Sequence, residues 1–115
     1  PWTKVEIAKC AKVCHDQHTL LKVIIETAYL ADDEIRQACL LCADAGADFV
    51  KTSTGFAPSG AKVEHIQLMR ATLPPSVGIK ASGGIKTRDQ ALQLIAAGAD
   101  RIGTSSAVAM MTSAT

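Results

Sequence analysis

The sequence predicts an α/β fold built on parallel strands, and three observations carry that prediction. Four short apolar runs alternate with segments of helical periodicity, the pattern of strands joined by crossover helices. The motif Ala45-Gly46-Ala47-Asp48 recurs as Ala97-Gly98-Ala99-Asp100, 52 residues on, and each copy leads to a hydroxyl cluster, Thr52-Ser53-Thr54 or Thr104-Ser105-Ser106. The polar residues that interrupt the apolar runs fall near their carboxyl ends, where α/β folds collect their chemistry.

Each element has its own signal. Residues 2 to about 17 place Val5, Ile7, Ala8, Ala11 and Val13 among Lys4, Glu6, Lys9 and Lys12, which predicts an amphipathic helix. Leu20 to Thr27 is a β-branched run of strand length. Leu21, Val23 and Ile25 share one of its faces, and Lys22, Ile24 and Glu26 the other. Both faces are partly apolar, as in a strand covered on each side. Asp32 or Asp33 is the expected cap of a helix running through Ile35, Ala38, Cys39, Leu41 and Cys42 to a stop at Gly46. Phe49-Val50-Lys51 reads as the second strand. A loop through Gly55, Pro58 and Gly60 leads to a third helix from Ala61 to about Ala71, carrying Val63, Ile66, Leu68 and Met69 and ended by Pro74-Pro75. Val77 to Lys80 is the third strand. Thr87 with Asp89 starts a fourth helix through Ala91, Leu92, Leu94 and Ile95, closed by Gly98. Asp100 to Gly103 is the fourth strand, and Thr104-Ser105-Ser106 opens a last helix through Val108 and Met111.

This order implies parallel strands with right-handed crossovers. Two architectures satisfy it: a doubly wound open sheet, or a segment of a (β/α)8 barrel. A closed barrel needs eight strands and typically about 250 residues; with 115 residues, barrel sequence here amounts to half a barrel. The 48% hydrophobic content and net charge of +1 indicate one packed domain with no general attraction to nucleic acid or anionic membrane. No apolar run approaches the ~20 residues of a membrane span, and Pro1-Trp2-Thr3-Lys4 lacks the apolar core of a signal peptide. A soluble, cytoplasmic protein is expected. Cys10, Cys14, Cys39 and Cys42 all fall in helical patterns and read as buried thiols. Cys10, Cys14, His15 and His18 lack a matching second knuckle, so no metal centre is expected.

Lysine is costly to desolvate, yet Lys51 stands near the end of one apolar strand and Lys80, 29 residues on, near the end of the next. If each strand turns its lysine inward, Lys22, Lys51 and Lys80 share a cavity, with Arg101 a fourth cation and Glu26 a counter-charge. A lysine must lose its proton to attack a carbonyl, and a nearby ammonium in an apolar setting favours that loss. The protonated imine that results is an electron sink for making or breaking an adjacent carbon–carbon bond. Gly83-Gly84 ahead of the helix at Thr87, and Gly103 ahead of Thr104, have the form of anion cradles. The bland alternatives are ion-paired scaffold lysines and ordinary turns.

The segments 20–27, 46–55, 77–87 and 101–106 together resemble deoxyribose-phosphate aldolase, a class I aldolase on a (β/α)8 TIM barrel. The pair Lys51-Thr52-Ser53-Thr54-Gly55 and Lys80-Ala81-Ser82-Gly83-Gly84 is the most specific part of the match. The order and spacing resemble the family's fifth to eighth strands, which makes residues 1–115 a single α/β segment, the C-terminal half of an aldolase barrel. The resemblance implies that Lys51 forms the Schiff base and Lys80 depresses its pKa. It implies substrate and phosphate binding by Lys22, Thr54, Gly55, Gly83, Gly84, Gly103, Ser105 and Ser106. Phe56 stands where many relatives carry a basic residue, and the family's proton-relaying aspartate lies upstream of this segment.

The implied reaction is reversible cleavage of 2-deoxy-D-ribose 5-phosphate to D-glyceraldehyde 3-phosphate and acetaldehyde, with no metal or organic cofactor and with activity impaired if the half barrel stands alone. The expected partners are a small phosphorylated sugar or aldehyde as substrate and, because a half barrel has two open edges, further copies of the chain or a complementing N-terminal half. The alternatives are a non-catalytic phosphate-sugar binding or half-barrel assembly module, and a Schiff-base aldolase for another phosphorylated sugar.

Overall fold

The computed structural model describes residues 2–55 and 60–104. The elements run α1 (Trp2–Asp16), β1 (Lys22–Ile24), a 3-10 turn (Thr27–Tyr29), α2 (Asp32–Asp44), β2 (Phe49–Lys51), α3 (Val63–Thr72), β3 (Gly78–Ser82), α4 (Arg88–Ala97) and β4 (Arg101–Gly103). Phe56, Ser105, Ser106 and the expected last helix through Val108 and Met111 lie outside the described residues.

The strands form one parallel sheet in the order β1-β2-β3-β4. Val50, Ile79 and Ala81 point from it into a single apolar layer with Ile35, Cys39 and Cys42 of α2, Ile66 and Met69 of α3, and Ala91 and Leu94 of α4. Full burial of an Ile or Met side chain contributes about 1.5–3 kcal/mol, so this layer anchors the helices to the sheet. It also separates the two architectures. A doubly wound sheet reverses its strand order and carries helices on both faces. Here the order is sequential and α2, α3 and α4 all cover the face of Val50 and Ile79, as barrel geometry requires.

Several elements depart from expectation for local reasons. β1 stops at Ile24 because Glu26 turns left-handed (φ 54°, ψ 66°) and begins the unanticipated 3-10 turn. Its Lys22 and Ile24 face is exposed, so β1 is not covered on both sides. Neither Asp32 nor Asp33 caps α2. The cap is Ala31, whose N–H donates to Glu34 Oε1 at 2.9 Å, and the two aspartates sit in the first turn, where they suit the helix dipole. α3 starts at Val63 rather than Ala61, and β3 extends to Ser82. Among the described side chains of α1 only Ala11 is buried, while Val5 and Val13 are 48% and 64% exposed. Leu92 and Ile95 of α4 are also about half exposed. Cys39 and Cys42 are buried as expected, with burial pushing their thiols to about 12 and about 11; Cys10 is exposed. Among the described residues no three His, Cys, Asp or Glu side chains group as metal ligands, and no helix is long and apolar enough to cross a membrane.

The duplicated Ala-Gly-Ala-Asp motif is scaffolding. Asp48 Oδ2 accepts from Leu21 N–H at 2.8 Å and meets His15 Nε2 at 2.8 Å. Asp100 Oδ2 accepts from Ile79 N–H at 2.9 Å and from Arg70 at 3.2 Å. In each copy the aspartate at the start of one strand ties down the start of the preceding strand and a basic residue of the helix that leads into that preceding strand. Desolvation pushes the Asp48 carboxyl up, but the Leu21 amide and His15 together hold it below the usual 3.8. Asp48→Ala is therefore expected to lower the unfolding free energy by about 1–3 kcal/mol at neutral pH, because it strands a backbone donor. Since the folded carboxyl titrates below its unfolded value, the contribution is full above 3.8 and lost as pH falls through the lower value. Urea unfolding of wild type and variant should converge in acid.

Candidate active site

The sheet's other face carries the polar residues. Strand register pairs Lys51 with Lys80, Lys80 with Arg101, and Ile24 with Lys51. Side chains two residues apart share a face, so Lys22, Phe49, Lys51, Lys80 and Arg101 all lie on the face opposite Val50 and Ile79. Gly78 makes room within this face: a Cβ there would lie 2.3 Å from the Phe49 ring. Across that gap the ring reaches Arg101, whose guanidinium carbon sits 4.2 Å from its centroid, a cation–π contact. Gly103 gives similar room to Lys80, since a Cβ on it would lie 2.9 Å from Lys80 Cε and 3.7 Å from Nζ.

Lys80 bears the electrostatic consequence. Desolvation, then the charges of Lys22 and Lys51, then contact with the Lys22 side chain and the charge of Arg101, hold its ammonium below the usual 10.5. Among the described residues none of these four cations forms an ion pair.

Above the strand ends lies a cleft of about 410 Å³ lined by Lys51, Thr54, Gly55, Ser82, Gly83, Gly84, Ile85, Lys86, Gly103 and Thr104. Lys51, Thr54, Gly55, Gly83, Gly84 and Gly103 are thus brought together as the sequence suggested. Lys80 and Lys22 are not among its lining residues: Lys80 stands beside Lys51 on the sheet, and Lys22 lies lower on β1, opposite Phe49. Ser105 and Ser106 lie outside the described residues.

The walls are held by hydroxyls that look inward. Thr52 and Ser53 are fully buried. Thr52 Oγ1 donates to Ser82 O and accepts from Ser82 N–H, and Ser82 Oγ donates to Ser53 O at 2.7 Å. Ser53 Oγ accepts from Gly55 N–H. These bonds lock the loop after Lys51 to the end of β3. Gly83 (φ 90°) packs on Gly60, where a Cβ would come within 2.9 Å of Gly60 Cα, so a side chain there meets both strain and backbone. Two amides ahead of α4 are taken up by the helix's own cap. Lys86 and Thr87 N–H both donate to Gln90 Oε1, at 2.8 and 3.1 Å. Among the described residues the amides of Gly84 and Ile85 have no partner, which leaves donors in the cleft wall suited to an anion. Sequence reasoning did not single out Ser82, Ile85 or Lys86, while it notes Thr104 only as the residue after the Gly103 cradle. Lys86, just past the Gly-Gly pair, was findable as a cation beside an anion cradle.

Parallel strands ending in amines, a glycine-walled cleft and, among the described residues, two unpartnered amides give the strand ends a cationic site open to an anion. The model of the family described as DeoC/LacD family aldolase matches residues 3–111, and the chain belongs to that family. It is 55% identical over 107 residues to deoxyribose-phosphate aldolase of Thermococcus kodakarensis, covering 93% of this chain and 48% of the relative. It is 59% identical over 96 residues to that of Micrococcus luteus, covering 84% and 42%. Among solved structures, the aldolase QR15 superposes with a TM-score of 0.87 at 42% identity, covering 95% of this chain and 48% of the other. The tetrameric deoxyribose phosphate aldolase of Aeropyrum pernix gives 0.86 at 35% identity, covering 94% and 47%. The chain spans about half the length of the curated relatives it matches, and its four-stranded sheet is part of a TIM barrel.

The strained cation cluster yields a stability prediction. Because the folded Lys80 ammonium titrates below 10.5, its penalty is present at neutral pH and fades as pH rises through the folded value. Wild-type stability should rise in that window. Lys80→Met should be more stable than wild type at neutral pH, by a few tenths to about 1 kcal/mol after solvent screening, with the gain vanishing in alkali. Chemical denaturation across pH measures it.

Proposed function

We propose that the protein is a class I aldolase that reversibly cleaves 2-deoxy-D-ribose 5-phosphate to D-glyceraldehyde 3-phosphate and acetaldehyde through a Schiff base on Lys51. The observation that carries this reading is the side-by-side register of Lys51 and Lys80 on one face of the sheet, with Lys51 opening into the cleft. In the forward direction the Lys51 amine adds to the substrate's open-chain carbonyl and water leaves, giving a protonated imine. The C3 hydroxyl then loses its proton as the C2–C3 bond breaks, releasing glyceraldehyde 3-phosphate and leaving an enamine on Lys51. Protonation of the enamine carbon regenerates an imine, and water hydrolyses it to acetaldehyde and the free amine.

The nucleophile must meet the carbonyl unprotonated, and a neighbouring ammonium favours that form. Lys80 takes this role, with Lys22 and Arg101 adding to the local field. The phosphate is assigned to Gly83, Gly84 and Gly103 with Ser105 and Ser106. Thr54 and Gly55 form the opposite rim. This reading treats residues 1–115 as one segment, the C-terminal half of the barrel. The exposed inner face and the outer edges of β1 and β4 favour completion by an N-terminal half or association of copies. Phosphorylated sugars do not cross membranes unaided, which suits a cytoplasmic site.

Steady-state cleavage of the sugar phosphate tests the assignment. Lys51→Ala should lower kcat/KM by at least about a thousandfold, and Lys80→Met by about a hundredfold despite its greater stability. Retention of wild-type turnover in Lys51→Ala, or tight sugar-phosphate binding with no turnover in wild type, would rule it out; the latter would favour a binding module.

A further inference from the structure

Glu26 has no part in the reading above, yet its geometry is the least ordinary near the cleft. Ile25 N–H donates to Lys51 O at 3.0 Å and Thr27 N–H donates to Thr52 O at 2.9 Å. Donors two residues apart on one chain thus meet acceptors one residue apart on the other, so Glu26 is an extra residue, a bulge in the β1 side of the ladder. Bulges of this kind re-aim a side chain and recur beside functional sites. Glu26 also holds a left-handed conformation, φ 54° and ψ 66°, which a non-glycine residue keeps only when its surroundings hold it there.

What holds it is the loop after Lys51. Glu26 Oε2 accepts from Thr54 Oγ1 at 2.7 Å and Oε1 from Thr54 N–H at 3.1 Å. Charge-assisted bonds of this type are stronger than neutral ones. The hydroxyls of Thr54 and Ser53, then the Thr54 amide and the positive charge of Lys51, keep the carboxyl below its usual 4.5 against desolvation. Thr54 and Gly55 line the cleft with Lys51. Ser53 Oγ also accepts from Gly55 N–H, so the rim is held by a buried serine and by an acidic side chain from the neighbouring strand.

We propose that Glu26 is a positioning residue: bulged from the end of β1, it holds the Thr54–Gly55 rim of the cleft beside Lys51 through two hydrogen bonds to Thr54. The inference rests on Lys51 being the imine-forming residue only for its consequence in catalysis; the clamp itself concerns the loop. A rim held in place presents a fixed surface to the hydroxyl and phosphoryl oxygens of a bound sugar phosphate. Acetaldehyde, with two carbons, meets only Lys51.

Two variants separate positioning from folding. Glu26→Asn keeps a residue that tolerates the left-handed conformation but is too short to reach Thr54. Glu26→Gln keeps the reach and a neutral acceptor. Adduct formation at Lys51 is measured by borohydride reduction over a range of 2-deoxy-D-ribose 5-phosphate concentrations, and separately with acetaldehyde. In Glu26→Asn the half-saturating sugar phosphate concentration should rise about tenfold with the limiting rate within about threefold, while acetaldehyde trapping is unchanged. Glu26→Gln should recover most of the loss. Equal losses with both compounds, or no change with either, overturn the proposal. Hydrogen exchange supplies a readout independent of imine chemistry. The Thr54 amide should exchange about tenfold faster in Glu26→Asn and near the wild-type rate in Glu26→Gln. If wild type traps neither compound, the Lys51 reading fails and exchange alone decides, with no acceleration in Glu26→Asn overturning the clamp.

Discussion

Lys51 and Lys80 stand on adjacent parallel strands at the same height, and the strand spacing of about 4.8 Å fixes how far their backbones can be apart. Register pairs their Cα atoms directly. Their side chains must therefore leave the sheet on the same face, away from the apolar layer of Val50 and Ile79. The like-charge crowding borne by Lys80, the room made by Gly103, and the reach of Phe49 over Gly78 to Arg101 all follow from that alignment.

The two ends of the strands divide the labour. At the amino ends, Asp48 and Asp100 each bind a backbone amide at the start of the preceding strand and a basic side chain of the helix that leads into that strand. Such bonds keep neighbouring strands from sliding, and a slip of one residue would send every lysine to the opposite face. At the carboxyl ends, Thr52, Ser53 and Ser82 exchange buried hydrogen bonds, leaving Thr54, Gly55, Gly83 and Gly84 to shape the cleft. The stabilising half and the site-forming half of each βα unit are thus encoded in different stretches of the same repeat.

Much of this was legible in the sequence because strong local signals agreed with the global fold. The strands Phe49–Lys51 and Arg101–Gly103 are short apolar runs between a glycine stop and a hydroxyl cluster, and the lysine spacing declared which face mattered. What stayed hidden depends on tertiary context. Nothing in Ile25-Glu26-Thr27 marks a left-handed bulge, since glutamate has no preference for that conformation. The Ala31 cap of α2 arises from a side chain three residues on. The repeat was visible, but that its aspartates serve as scaffold emerges only when each is seen bonded to Leu21 or Ile79. The apolar pattern of α1 could not tell that Val5 and Val13 face outward here while Ala11 packs inward.

The proposed chemistry requires one amine to capture an aldehyde, and the most direct measurement is peptide mapping of the protein after reduction with borohydride in the presence of acetaldehyde. The predicted result is an ethyl group carried on Lys51, with surface lysines such as Lys4, Lys9 and Lys12 at background. An adduct found on Lys80 in place of Lys51, or spread evenly over the surface lysines, would contradict it.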